Sequence, residues 1–207
     1  DRLPAPSLDP ADGRDVRLPL SQPPADTTPD RDEIITCLGA AETAELESGV
    51  TLEALVGDFN TAQGLTTGIV TMQPESCLPY HTHPCGESVT VLEGAAEFSV
   101  EGRTYRLGPL DNITIPRWLP HQTRNPDSGK AACLHVALAM STPERAPVNR
   151  LFVQTDMPAN SNGTPGFERV TRFSTADRLQ GVDPGTEFLD YFNASLNPGI
   201  EMCGGFA

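Results

Sequence analysis

The stretch His81–Asn125 reads HTHPCGESVTVLEGAAEFSVEGRTYRLGPLDNITIPRWLPHQTRN and holds three of the four histidines of the chain. His81 and His83 are two residues apart, so on a strand their side chains point to the same side. Glu87 follows after a turn-prone Pro-Cys-Gly, and His121 ends a later strand-like run. Three imidazoles and one carboxylate from neighbouring strands form a ligand set for a divalent transition metal, with one flank open for water or substrate.

Short strand-like segments separated by turns surround these residues. The Glu-Gly pair at 101–102 predicts a two-residue hairpin turn between strands at 96–100 and 103–107. The sequence predicts further strands at 33–38, 51–59, 65–72, 87–92, 112–115 and 132–140, and one or two helical turns at 40–47. Strands at this density, with 20 prolines and 18 glycines in the chain, predict an antiparallel barrel or sandwich.

The net charge and the amino-acid composition exclude some classes of binding partner. The 207-residue chain has a net charge of −14, which argues against binding to nucleic acid or to an anionic membrane surface. No stretch approaches the roughly 18 apolar residues of a membrane-spanning helix. The five cysteines are scattered and odd in number, which favours reduced thiols and a cytoplasmic location.

The sequence divides into four parts. Residues 1–32 form a Pro-, Asp- and Arg-rich N-terminal arm, 33–141 the barrel, 142–166 a linker and 167–207 a C-terminal extension. The extension repeats the head of the barrel: its matches are Glu168–Phe173 with Glu33–Leu38, Phe192-Asn193 with Phe59-Asn60, and the residues from Gly199 with those from Gly64. Two interpretations remain open, a chance similarity of short polar segments or a tandem barrel protein whose second unit is cut short.

The central stretch, over about residues 50–140, resembles the cupin superfamily. The first cupin motif is HxH, three or four residues, Glu, six residues and Gly, and it is matched by His81, His83, Glu87 and Gly94. The second motif ends in Pro-x-Gly-x-x-His-x-x-x-Asn, and its Pro, His and Asn are matched by Pro116, His121 and Asn125.

Three positions depart from the glycines of the family pattern. Pro74-Glu75 stands at the leading glycine of the first motif, Leu110 stands where the usual Gly-Asp turn begins, and Trp118 occupies the Pro-x-Gly position. These departures concern the shape of the turns and leave the four ligand positions intact.

The resemblance implies an all-β double-stranded β-helix, the cupin or jelly-roll barrel, with His81, His83, Glu87 and His121 holding one divalent metal. The repeated tail makes the chain similar to the bicupins, with a complete first unit. Fe(II) or Mn(II) is favoured, and Zn, Ni or Cu also suits three nitrogens and one oxygen.

The expected function is that of a mononuclear-metal dioxygenase-type oxidoreductase acting on a small organic molecule, which is the only partner expected besides a second copy of the chain in a homo-oligomer. The alternatives are a non-redox isomerase, epimerase or lyase that uses the metal as a Lewis acid, or a non-catalytic binding protein. No catalytic side chain is assigned. Four residues are candidates to line the pocket or support the ligands: Tyr80, Trp118, Asn125 and His135. Tyr80 and Trp118 also suit simple packing, Asn125 also suits holding the turn after His121, and His135 also suits a histidine satisfied within the barrel.

Overall fold

A computed structural model of the chain describes residues 34–152, 168–180, 185–192, 202 and 204–206. Within these ranges regular structure consists of strands and one short 3-10 helix, Asp58–Asn60. The strands are β1 (Thr43–Glu47), β2 (Val50–Val56), β3 (Thr66–Met72), β4 (Cys77–Thr82), β5 (Glu87–Glu93), β6 (Ala96–Val100), β7 (Arg103–Leu107), β8 (Asn112–Ile115), β9 (His121–Arg124), β10 (Ala132–Leu138), β11 (Ala146–Pro147), β12 (Arg169–Thr171), β13 (Arg178–Gln180), β14 (Glu187–Phe192) and β15 (Gly204–Phe206). The described part of the chain contains no helix that meets the length and hydropathy of a membrane span.

Two antiparallel sheets form a jelly-roll barrel. The larger sheet has the order β1-β2-β3-β10-β5-β8-β12, and the smaller one the order β11-β4-β9-β6-β7. Strands distant in sequence are neighbours in both sheets: β10 lies between β3 and β5, and β9 between β4 and β6. The all-β prediction is therefore confirmed, and the barrel topology brings the two halves of the His81–Asn125 stretch together.

The core lies between the two sheets, because strand residues alternate between the two faces of a sheet. In β3 and β10 every second side chain is buried along the full length of the strand. The smaller sheet contributes aromatic and aliphatic side chains from β6 and β7. The fully buried core residues include Val50, Met72, Val91, Phe98, Val100, Leu107, Ile113 and Ile115.

The hairpin and most strands occur where the sequence predicted them. Strands β6 and β7 have the predicted bounds, and the Glu-Gly pair forms their turn, with both residues at positive φ. Two predictions are wrong. Residues 43–47 of the predicted helical segment form strand β1, because they pair with β2 at the sheet edge, and the described residues of the predicted strand at 33–38 form no regular structure. Strands β4 and β9, which were not predicted as separate elements, carry His81 and His121. His121 begins β9, whereas the sequence predicted it at the end of a strand-like run.

The residues at the three positions where the family pattern has glycine adopt the backbone conformation that glycine favours. Glu75 has φ 60°, Leu110 has φ 65° and Trp118 has φ 63°. This left-handed region is costly for residues with a Cβ atom. The turns therefore keep their shape, and each of these three residues carries local backbone strain.

The extension is attached to the barrel by strand β12, which adds to the free edge of β8. Just before it, the buried Glu168 carboxylate accepts hydrogen bonds from Arg103 Nε and Nη2, at 2.6 and 2.9 Å, and from the Tyr105 hydroxyl at 2.6 Å. These bonds raise the pKa of Arg103, whereas burial and then Glu168 raise the pKa of Tyr105 to about 12. Strands β13, β14 and β15 form a third, three-stranded antiparallel sheet.

The predicted division of the chain is only partly covered by the structure. The N-terminal arm, 1–32, lies outside the described residues. The start of the predicted linker is bound to the barrel, since Ala146 and Pro147 form β11 and pair with Thr82 and His81 of β4. Residues 153–167, which contain the rest of that linker, lie outside the described residues as well.

Candidate metal centre

The four predicted ligands meet inside the barrel. His81 on β4 is the cross-strand partner of His121 on β9, and the centroids of their rings are 4.3 Å apart. His83 follows the end of β4, with its ring centroid 4.9 Å from that of His81. Glu87 is the first residue of β5 in the larger sheet. The ligand atoms of these four buried residues all lie within 4.8 Å of one another.

Backbone carbonyl groups fix the orientation of the three imidazoles. The Nδ1 atom of His81 donates to Pro79 O at 2.7 Å, that of His121 to Leu119 O at 2.9 Å, and that of His83 to Glu144 O. A carbonyl oxygen can only accept, so each ring carries its proton on Nδ1. All three Nε2 atoms therefore present lone pairs, which is the form in which histidine binds metals.

Two atoms of the cluster are buried without a hydrogen bond, namely Glu87 Oε2 and His121 Nε2. They lie 2.8 Å apart. With the His121 proton on Nδ1, both atoms are acceptors, and two acceptors in contact inside a protein need a cation between or beside them. The residues present thus fit a divalent metal ion.

Burial and neighbouring charges keep His81 and Glu87 in the forms that bind metals. Burial, and then the neighbouring His121, lowers the pKa of His81 to about 3. Burial acts to raise the pKa of Glu87, but the histidines around the carboxylate outweigh it and lower the pKa to about 2. At neutral pH His81 is neutral and Glu87 is ionised, as a metal requires of its ligands.

The hydrogen-bond acceptor of the His83 ring lies in a segment that the spacing of the histidines and Glu87 does not predict. Glu144 lies in the segment after β10, and its carbonyl oxygen accepts from His83. On the other side of this segment, Arg145 donates to Leu46 O at 3.1 Å. Because the contact with His83 uses a backbone carbonyl, no side-chain type at position 144 could have signalled it.

Two of the four candidate pocket residues lie on outer faces of the barrel. Tyr80 alternates with His81, so its ring points outward, where it packs on Phe152 at a centroid distance of 4.8 Å. His135 lies on the face of β10 opposite the buried Leu134 and Val136. It lines a separate cavity of about 630 Å³ together with side chains of β5 and the third sheet. The structure places neither residue in the cluster of His81, His83, Glu87 and His121.

Asn125 and Trp118 belong to the turns that support His121 and His83. The Asn125 amide nitrogen lies 3.1, 3.2 and 2.8 Å from the carbonyl oxygens of Met72, Gln73 and Lys130. This buried amide therefore holds the chain after His121. Trp118 donates its backbone N–H to His83 O at 2.8 Å, while its side chain is 59% exposed and lines a groove of about 400 Å³ with Pro84 and Arg145.

Comparison with known proteins agrees with this architecture. Residues 68–137 match the model of the cupin domain family. The chain carries a cupin domain. The matched part runs from the middle of β3 to the end of β10 and includes all four residues of the candidate metal centre.

One curated protein is similar in sequence to part of this chain. The chain is 39% identical over 67 residues to the dimethylsulfoniopropionate lyase DddQ of Ruegeria pomeroyi. The alignment covers 32% of this chain and 33% of the lyase, so it spans about a third of the length of that relative.

Two solved structures align with part of this chain. The polyketide cyclase RemF of Streptomyces resistomycificus aligns with a TM-score of 0.51 and 21% identity, over 58% of this chain and 88% of RemF. An RmlC-like cupin from Shewanella frigidimarina aligns with a TM-score of 0.47 and 17% identity, over 55% of this chain and 95% of that protein.

Proposed function

We propose that this chain is a divalent-metal-dependent enzyme that acts on a small organic molecule, with His81, His83, Glu87 and His121 as the metal ligands. The observation that carries the proposal is the pair of buried acceptor atoms, Glu87 Oε2 and His121 Nε2, 2.8 Å apart and without a hydrogen bond. A structural cluster would pair such atoms with donors. A metal bound by these ligands would supply open positions for substrate and O₂, or Lewis acidity toward the substrate alone.

We favour a dioxygenase-type reaction. Proton-transfer chemistry needs a positioned acid or base besides the metal ligands. Among the other buried ionisable groups of the described residues, Glu168 is bound to Arg103 and Tyr105, the Tyr191 hydroxyl donates to Leu110 O, and Cys85 is a buried thiol between His83 and Glu87 in the sequence. The buried carboxylate and the tyrosine hydroxyls are thus engaged in structural contacts, which supports a reaction in which a metal held by the cluster would bind two reactants, with Fe(II) or Mn(II) as the favoured ion.

A lyase is the second candidate, and the 39% identity to a dimethylsulfoniopropionate lyase favours it. In this version a metal held by His81, His83, Glu87 and His121 would supply Lewis acidity toward the substrate, and no oxidant would be consumed. A natural first substrate for the test is dimethylsulfoniopropionate itself. An isomerase or epimerase would share the lack of oxygen demand and would differ in its product.

The two candidates are separated by one experiment. The protein is loaded anaerobically with Fe(II), Mn(II) or Zn(II), mixed with a panel of small carboxylates, phenols and dimethylsulfoniopropionate, and followed by an oxygen electrode and by NMR. We expect oxygen uptake with at least one substrate in the Fe(II) or Mn(II) form, lost on His83→Ala and kept on Tyr80→Phe. If product forms at the same rate without oxygen, and also in the zinc form, the oxygenase hypothesis is wrong and the lyase or isomerase hypothesis takes its place. Turnover that survives His83→Ala would contradict a role for the cluster.

The groove beside Trp118 is the proposed approach for substrate. It lies directly next to His83, whose carbonyl oxygen binds the Trp118 N–H, and its wall carries Glu144 and Arg145. Once a substrate is known, Trp118→Ala should raise KM several-fold with little change in metal content. An unchanged KM would exclude the groove from substrate binding.

The unpaired thiols support the proposed cytoplasmic location. Cys37, Cys77 and Cys133 carry free thiols, and burial is the main cause that raises the pKa of Cys77 and Cys133. Protonated thiols of this kind are typical of proteins kept in a reducing compartment. A homo-oligomer remains part of the proposal and is tested by light scattering.

A further inference from the structure

The outer face of the larger sheet carries a row of polar side chains. The cross-strand pairs His135↔Thr90, Thr90↔Asn112 and Asn112↔Thr171 place one residue of the row on each of β10, β5, β8 and β12. These residues alternate with the core residues of their strands, so their side chains face away from the barrel interior. Thr90, Asn112 and Thr171 are nevertheless only 7%, 1% and 7% exposed. The outer face of an antiparallel sheet commonly contacts solvent, so this row is covered by another part of the chain.

The third sheet covers one end of this polar row and leaves a cavity at the other. The Thr171 hydroxyl donates to Tyr191 O of β14 at 3.0 Å. Beside this contact, a cavity of about 630 Å³ is lined by Ser88 and Thr90 of β5, by His135 of β10 and by residues of β14 and β15. The polar row therefore runs from a structural contact beneath the third sheet into a space that a small molecule can occupy.

The Asn112 amide holds two hydroxyl groups of the cavity in place. Its Nδ2 atom lies 2.9 Å from Ser88 Oγ and 2.9 Å from Thr90 Oγ1. Each hydroxyl oxygen accepts from the amide, so its own hydrogen is available to a ligand. Burial lowers the pKa of His135, and no described residue forms a hydrogen bond with its ring. The ring is therefore neutral at neutral pH and adds a third N–H or O–H donor to the cavity.

This arrangement of polar groups costs stability. Asn112 Oδ1 is buried and has no hydrogen-bond partner among the described residues, and an unsatisfied buried acceptor destabilises the folded state. Apolar residues in the same row would pack beneath the third sheet without that cost. The third sheet itself uses an apolar contact of this kind, since Leu189 and Tyr191 are buried in a cluster with Phe173, Ala176 and Met202. A polar row that packing does not require indicates recognition of a ligand.

We propose that this cavity binds an uncharged, largely apolar small molecule whose carbonyl oxygen accepts hydrogen bonds from the Ser88 and Thr90 hydroxyls beside the His135 ring. The described lining contains no charged side chain, and Leu65 and Ala137 contribute apolar surface. An ion would lose its hydration in such a cavity without gaining a partner of opposite charge, so the site excludes ions. The site lies outside the barrel, and its occupation does not depend on the proposed metal chemistry.

Prodan, an uncharged aminonaphthalene ketone, is the probe for this site, because its fluorescence reports both an apolar environment and hydrogen bonding to its carbonyl group. Titration of the unsubstituted chain should show one saturable site, with the same Kd with and without a chelator. Ser88→Ala combined with Thr90→Val should raise the Kd roughly tenfold, since two hydrogen bonds are lost, and should shift the emission of the bound probe to the blue. Thr104→Val, at an exposed position of β7, is the matched control and should change neither quantity.

A second variant covers the case in which the loss of both hydroxyls prevents folding. Leu65 lines the cavity and is 37% exposed, so Leu65→Asp should fold and should weaken prodan binding by placing a charge in the uncharged lining. Leu38→Asp, at a 65% exposed position outside the cavity lining, should leave the Kd unchanged.

Three results would overturn the proposal. The first is that the unsubstituted chain shows no saturable binding of prodan. The second is a Kd that stays the same in Leu65→Asp and in the folded hydroxyl variant, which would place the probe elsewhere on the protein. The third is equally tight binding of the anionic probe anilinonaphthalene sulfonate, displaced by prodan, which would contradict a site for uncharged molecules.

Discussion

Glu87 Oε2 and His121 Nε2 lie 2.8 Å apart in the interior of the barrel, and neither has a hydrogen bond. One atom comes from the larger sheet and the other from the smaller sheet, so the contact joins the two walls of the barrel. Such a contact between two acceptors costs free energy in the absence of a cation. The metal-free protein should therefore be less stable than the loaded one.

Metal content is the most direct check of this relationship. Protein purified without a metal-affinity resin should contain close to one divalent ion per chain, and His121→Ala should lose almost all of it, because three ligands and an opened cavity hold metal poorly. Elemental analysis by mass spectrometry gives both values. His135→Ala is the matched control, since this histidine lies on the outer face of β10, and it should keep the metal. Equal metal content in all three proteins would contradict the assignment.

The stability of the metal-free protein should fall as the pH is lowered below about 6.5. The pKa of His81 is about 3 in the folded state and about 6.5 when the chain unfolds. Between these values the unfolded chain binds more protons, so acid favours unfolding. From pH 7 to pH 5 the contribution amounts to about 2 kcal/mol, at roughly 1.4 kcal/mol per pH unit.

Urea unfolding in the presence of a chelator at pH 7 and pH 5 measures this effect. His81→Gln should remove most of it, and Tyr80→Phe, at the adjacent outward position, should keep it. The carboxylate of Glu87 adds a further loss at lower pH, between about 4.5 and 2. A pH dependence that His81→Gln leaves intact would assign the titration to another group.

Glu168→Ala should destabilise the protein by about 3 kcal/mol. The substitution leaves the Arg103 guanidinium and the buried Tyr105 hydroxyl without the carboxylate that they share, and breaking a buried ion pair costs about 3–5 kcal/mol. We place the value at the lower end because Glu101 Oε2 remains 3.6 Å from Arg103. Denaturant unfolding provides the measurement. Glu187→Ala, which removes an exposed pair with Arg178, should cost less than about 1 kcal/mol, and an equal cost for both would be inconsistent with the burial of Glu168.

Glu75→Gly should stabilise the protein by about 1 kcal/mol. Glu75 is exposed and has φ 60°, and a residue with a Cβ atom pays roughly 1–2 kcal/mol in this region. Glycine removes that strain but gains entropy in the unfolded chain, which reduces the benefit. Thermal unfolding compares it with Glu45→Gly in strand β1, where glycine should lower stability. A loss of stability in both variants would show that the Glu75 side chain contributes more than its backbone costs.

The sequence predicted the elements whose signals are local. The hairpin of β6 and β7 follows from alternation and a Glu-Gly turn, and both act over a few residues. The segment 40–47 was misassigned because its alanines and glutamates favour a helix when considered alone, whereas Thr43–Glu47 pairs with β2 at the edge of the larger sheet. Such tertiary pairing is not encoded in the local pattern.

For the site, residue types and spacing were sufficient to choose four residues whose side chains cluster in the structure; their role as metal ligands stays a prediction. Residue types and spacing were insufficient to predict which residues surround these four side chains. The alternation that points His81 inward also points Tyr80 outward, and this could have been deduced from the sequence. The backbone carbonyl of Glu144 could not, because its position depends on the path of the chain after β10 and not on a side chain. The residue types of Leu110 and Trp118 do not indicate a glycine-like φ, whereas the glycines that the family pattern has at these two positions do.

The hydrogen bonds from the three imidazoles to carbonyl oxygens have a consequence for the charge of the centre. Neutral acceptors leave the histidines neutral, so Glu87 is the only anionic ligand, and a divalent ion in this cluster would carry one uncompensated positive charge. The surrounding chain has a net charge of −14. An anion approaching from solvent is thus repelled at long range and attracted only once it is inside the barrel, where screening is weak. The protein should discriminate among anions by how readily they enter, and its apparent affinity for them should rise with salt.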